Sequence, residues 1–80
     1  MVQNAKGMVS FGGMTYRVEK IAHDRYEVVR ILDDRRIGAF AREPNIQVMP
    51  EGVDSGLLRE IAHLALRQGK ISWAGRLEGI

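Results

Sequence analysis

The sequence predicts an α+β domain: a three- or four-stranded antiparallel β-meander followed by one C-terminal helix packed on one face. Three observations carry this. Short segments rich in β-branched and aromatic residues, separated by polar breaks, run from Tyr16 to Val48. One proline-free amphipathic stretch follows. A chain of 80 residues has room for a single small core.

In chain order, residues 1–13 hold three glycines, one charge and no periodicity, and are expected to be a flexible leader. The domain is expected over 14–80, with Met1, Met8 and Met14 all open as start points. Tyr16 and Val18 belong to a first strand, and Tyr26–Leu32 forms a second. Ala22-His23-Asp24-Arg25 is a break of hairpin length, and Asp33-Asp34-Arg35-Arg36 is another. Ile37–Ala41 is a third strand. Ile46-Gln47-Val48, between Pro44 and Pro50, is a short fourth strand suited to a sheet edge.

The helix is predicted over Ser55–Gln68. Asp54 or Ser55 can accept an orphan N–H as N-cap. With Asp54 as cap, Val53 and Leu58 occupy the positions of a hydrophobic staple. Leu57, Leu58, Ile61, Ala62 and Ala65 make one apolar stripe, and Gly69 supplies the stop.

Strand register then assigns the faces. A four-residue turn at Ala22–Arg25 sets Ile21 against Tyr26, Lys20 against Glu27, Val18 against Val29 and Tyr16 against Ile31. The slip that sets Val18 against Arg30, or Val28 against Lys20, matches charge and polarity less well. Across the next turn Leu32 opposes Ile37 and Val29 opposes Phe40. The helix should cover Tyr16, Val18, Val29, Ile31 and Phe40. The other face should hold Arg17, Glu19, Ile21, Tyr26, Val28, Arg30, Leu32, Ile37 and Ala39. That is a strongly apolar surface for water to meet. Arg17 and Arg30 would be cross-strand neighbours on it. Three coverings compete: the tail through Ile71 and Trp73, a symmetric partner, or a nucleic-acid strand with Tyr26 stacking a base.

Charge and composition bound the function. Lys plus Arg is 12 against 10 Asp plus Glu, a net +2. That is a thin field for a nucleic-acid domain. Without cysteine there are no disulfides and no thiolate metal sites, which suits a cytoplasmic setting. No stretch approaches a membrane span. Arg59, His63, Arg67 and Lys70 share an outer helix stripe that could grip phosphates, but it reads first as a solvated face with cations at the C-terminal dipole end. Glu60 and His63 have metal-ligand spacing, yet such sites need the motif on facing helices. His23-Asp24 has no serine placed to complete a triad. Gly12-Gly13 lacks the phosphate-loop pattern. No enzyme, metal or cofactor is expected.

The sequence therefore points to a small interaction module that self-associates or docks a protein through the helix-free face. Arg17, Tyr26, Arg30, Leu32 and Ile37 would carry the contact. The alternative is nucleic-acid binding through Arg17, Arg30, Arg59, His63, Arg67 and Lys70.

Overall fold

A computed structural model describes residues 7–69 and 71–73 of the chain. Strands β1 (Met8–Phe11), β2 (Met14–Ala22), β3 (Arg25–Arg30), β4 (Arg35–Ala41) and β5 (Gln47–Pro50) form an antiparallel sheet in sequence order. Helix α1 (Ser55–Gln68) packs against it, and the short β6 (Ser72–Trp73) lies parallel to β2. The α+β class stands, with one more strand in the meander than expected.

The extra strand is β1, formed by residues expected in the flexible leader. Its Met8, Val9 and Phe11 are apolar. Gly12 and Gly13 both take positive φ, 61° and 80°, and form a two-residue turn closed by Phe11 opposite Met14. Two consecutive left-handed positions favour glycine, and this pair between apolar flanks is a hairpin signal.

Two β-bulges set the faces. At the tip of the β2–β3 hairpin Ala22 pairs with Arg25, so the turn is His23-Asp24 rather than the four residues expected. The register then shifts between Lys20 and Ala22, leaving Ile21 without a partner. Beyond the bulge Lys20 opposes Tyr26, Val18 opposes Val28 and Tyr16 opposes Arg30. This slip runs opposite to the one weighed from sequence, and it inverts β3. Tyr26 and Val28 join Tyr16 and Val18 in the core, while Val29 turns away from the helix.

The second bulge lies in β4. Val28 pairs with Gly38 and Val29 with Arg36, so Ile37 is the extra residue. It turns inward to the core, and Arg36 turns outward to ion-pair with Glu27. Tyr26, rather than Val29, opposes Phe40. Their rings stack with centroids 4.9 Å apart and planes 10° from parallel. Residues 31–34 form the turn, so Leu32 does not pair with Ile37.

Helix α1 matches its expected bounds. Asp54 caps it, its Oδ2 accepting from the Gly56 N–H at 2.9 Å. Gly69 ends it at φ 66°, its N–H donating to the Ala65 carbonyl. Leu58, Ile61, Ala62 and Ala65 are buried on the sheet, with Val53 and Leu57 packed at the margin. Ile71 packs on this same core, on the helix side of the sheet. The Trp73 side chain lies outside what is described. No helix among the described residues is long and apolar enough to cross a membrane.

Candidate interaction face

Two neighbouring rows of side chains cross the side of the sheet away from α1. Register places Arg17, Val29 and Arg36 as successive cross-strand partners on β2, β3 and β4. The next row, two residues along each strand except where the strands have shifted, is Glu19, Glu27, Ala39 and Met49. A basic row thus lies beside an acidic one.

Glu19 and Glu27 stand directly opposite each other, which like charges disfavour. Each is compensated by an arginine of the other row. Arg17 Nε donates to Glu19 Oε2 at 2.8 Å, and Arg36 Nη1 lies 3.0 Å from Glu27 Oε2. The ends of the basic row carry further carboxylates. Arg17 lies 3.5 Å from Asp34, and Arg36 lies 3.3 Å from Glu51. Carboxylates therefore outnumber guanidinium groups on this face.

Its apolar part is narrow. Val29 and Ala39 are buried to 7% and 1% exposure although no helix covers them. Val29 has Arg17 and Arg36 as cross-strand neighbours, and Ala39 has Glu27 and Met49. Long side chains at such positions lay their apolar stems over small neighbours while their heads stay in water. Met49 itself is exposed.

The five residues expected to form one contact patch are dispersed. Arg17 lies on the helix-free face. Tyr26 and Ile37 are buried in the core at 4% and 1% exposure, closed to any partner of the folded domain. Arg30 falls opposite Tyr16, so it is not a neighbour of Arg17. It is engaged with Asp33, its Nε and Nη2 donating to the two carboxylate oxygens at 3.1 and 2.9 Å. That bidentate contact lowers the Asp33 pKa and raises that of Arg30. Leu32 is 76% exposed, but at the β3–β4 turn rather than on the sheet. Sequence reasoning missed Glu27, Val29, Arg36 and Met49 as members of the face. The two bulges decide the orientation of Glu27, Val29 and Arg36, whereas Met49 lies one residue past the fourth strand expected at Ile46–Val48.

Arg59, His63 and Arg67 are exposed on the outer side of α1, as expected. Lys70 lies outside the described residues. At the β2–β3 tip, Asp24 takes φ 52°, which Asp tolerates better than most residues. Its carboxylate accepts from the backbone N–H groups of Arg42 at 2.9 Å and Glu43 at 3.2 Å. Chiefly through the Arg42 hydrogen bond, its pKa is lowered. Asp24 is thus a clamp between two loops. Among the described residues, no group of three or more His, Asp or Glu side chains is placed to hold a metal ion.

Comparison with protein-family models, with curated proteins and with solved structures gave no match.

Proposed function

We propose that the protein is a small non-enzymatic interaction module that contacts another protein through the helix-free face of its sheet. The observation that supports this reading best is the pair of rows, Arg17–Val29–Arg36 beside Glu19–Glu27–Ala39–Met49. Protein contact surfaces combine a small apolar centre with a polar surround, and arginine and methionine are enriched in them. Here the contact residues are Arg17, Glu19, Glu27, Arg36 and Met49, with Val29 and Ala39 as the floor.

A photoreactive side chain in place of Met49, compared with one in place of His63, tests the reading in extracts of source cells. Adducts with protein should form at position 49 and be suppressed by excess unlabelled wild type. The double change Arg17→Glu with Arg36→Glu should make the unlabelled competitor ineffective. No competable adduct at position 49, or equal ones at both positions, overturns the proposal.

The nucleic-acid alternative now rests on the helix. Arginines of the sheet face are matched by carboxylates, whereas Arg59 and Arg67 have no ion pair among the described residues. If phosphates bind there, affinity falls with salt with a log–log slope of about 0.7–0.9 per contact. Titration of mixed-sequence DNA and RNA at low salt decides: no shift removes this alternative.

A further inference from the structure

We infer that the edge strand β1 pairs antiparallel with β1 of a second copy of this chain, about a two-fold axis at Val9, so that the two meanders join in one sheet. This contact is separate from the helix-free face and does not depend on it.

The meander ends in two edge strands, β1 and β5, and their outer backbones differ. At β5 the Glu51 N–H donates to the Ile37 carbonyl at 2.8 Å, so Glu51 and Met49 turn their backbone groups toward β4. Alternation sends those of Val48 and Pro50 outward. Proline has no N–H to offer there, which blunts the edge. Strand β1 has no such guard. The Val18 N–H donates to the Gly7 carbonyl at 2.7 Å, and Phe11 closes the turn opposite Met14. Gly7, Val9 and Phe11 therefore bond toward β2, while Met8 and Ser10 point both N–H and C=O outward. The strand carries neither proline nor a charged side chain, the residue types that keep edges from pairing. Among the described residues no hydrogen bond reaches these outward groups. Beyond Gly7 the same side of β2 is taken by β6, so the open run is β1 itself.

Backbone bonds alone would accept any extended segment. The second copy is the occupant because one register satisfies its hydrogen bonds and its faces together. Centred on Val9, the pairing sets Met8 opposite Ser10 of the second copy and Ser10 opposite its Met8. Every outward donor and acceptor of both strands is then used. Centring on Met8 or on Ser10 instead sets the other of the two opposite a residue outside β1. Val9 lies on the helix side, 2% exposed, and meets its own copy across the axis, so the helix sides of both sheets coincide. The contact uses the same surface of both chains and opposes no like charges within β1. It is short, and therefore weak.

Sedimentation equilibrium and amide hydrogen exchange of the purified full chain test this. Weight-average mass should climb toward twice the chain mass as concentration rises. Exchange at the Met8 and Ser10 amides should slow over the same concentrations, far more than at Val9 and Phe11, which are already bonded within the chain. Ser10→Pro removes an outward N–H and leaves the backbone bonds to β2 in place, so it should fold and stay monomeric. Arg36→Glu, on the helix-free face, should dimerise as the wild type does. A wild type that is monomeric at all concentrations overturns the inference. A folded Ser10→Pro that still dimerises, or a dimer lost in Arg36→Glu, overturns it too. Circular dichroism shows whether Ser10→Pro is folded. If it is not, exchange in the wild type decides, and rates at Met8 and Ser10 that ignore concentration overturn the pairing. Adducts at position 49 report on the helix-free face alone, so the two contacts fail separately.

Discussion

Gly38 of β4 has both the helix residue Leu58 and the β5 backbone close above its Cα. A Cβ built there would lie 2.6 Å from Leu58 Cδ2, 2.7 Å from the Met49 carbonyl oxygen and 3.0 Å from Pro50 Cα, and φ is 151°. One contact is a side chain that could shift, but two are backbone of β5. Gly38→Ala should therefore destabilise the domain by about 1–3 kcal/mol from overpacking, with backbone strain added. Urea denaturation measures this, and an unchanged midpoint would contradict the packing described. Asp24 makes a different residue-scale prediction. Its pKa is lowered in the folded state, so its clamp stabilises fully above the ordinary carboxylate value of 3.8. The contribution is lost as pH falls through the lower folded value. Acid titration followed by NMR should show the Arg42 and Glu43 amide signals moving together with the Asp24 carboxylate, below 3.8. Replacement by alanine should abolish that joint movement and speed hydrogen exchange at both amides.

Elements differed in how far the sequence exposed them. Helix α1 was legible because its signals are local: Asp54 before the run, an apolar stripe at helical spacing and Gly69 after it. The cap makes a quantitative expectation. Asp54→Ala removes the acceptor for the Gly56 N–H and should cost about 1 kcal/mol, within a range of roughly 0.5–2. A thermal melt against Asp54→Asn, which keeps an acceptor, separates capping from any general effect of the position. Strand β1 was legible in principle, since Gly12-Gly13 between Phe11 and Met14 is hairpin punctuation. It was passed over because four residues show too little alternation to outweigh a glycine-rich surrounding. The bulges at Ile21 and Ile37 left no local mark. Each is one unpaired residue whose benefit appears only in three dimensions: the first brings Tyr26 and Val28 under the helix, the second adds Ile37. Alternation of residue types fixes which residues share a face within a strand. It does not fix which face meets the helix once a bulge intervenes. The expected contact set failed for that reason, while Tyr16, Val18 and Phe40 were assigned correctly.

At the scale of the whole molecule, the layer order can be tested with two adjacent residues. Val28 lies between sheet and helix, fully buried among Val18, Phe40 and Leu58. Val29 lies on the opposite side, between Arg17 and Arg36 in the basic row. Val28→Glu would bury a carboxylate where the core offers no cation. The cost of an unpaired buried charge is several kcal/mol, comparable to the roughly 4–12 kcal/mol available to a domain of this size. That variant should be unfolded at neutral pH. Val29→Glu places the same group beside two guanidinium groups, on the side of the sheet that α1 does not cover. Lost burial of the valine and a gained exposed ion pair, worth about 0.2–1 kcal/mol, oppose each other, so its melting midpoint should stay within a few degrees of wild type. The alignment expected from sequence, with Val29 beneath the helix and Val28 on the outer face, requires the reverse order. Circular dichroism melts of the two variants therefore distinguish the arrangements. A folded Val28→Glu beside an unfolded Val29→Glu would place the basic row under α1 and dissolve the interaction face with it.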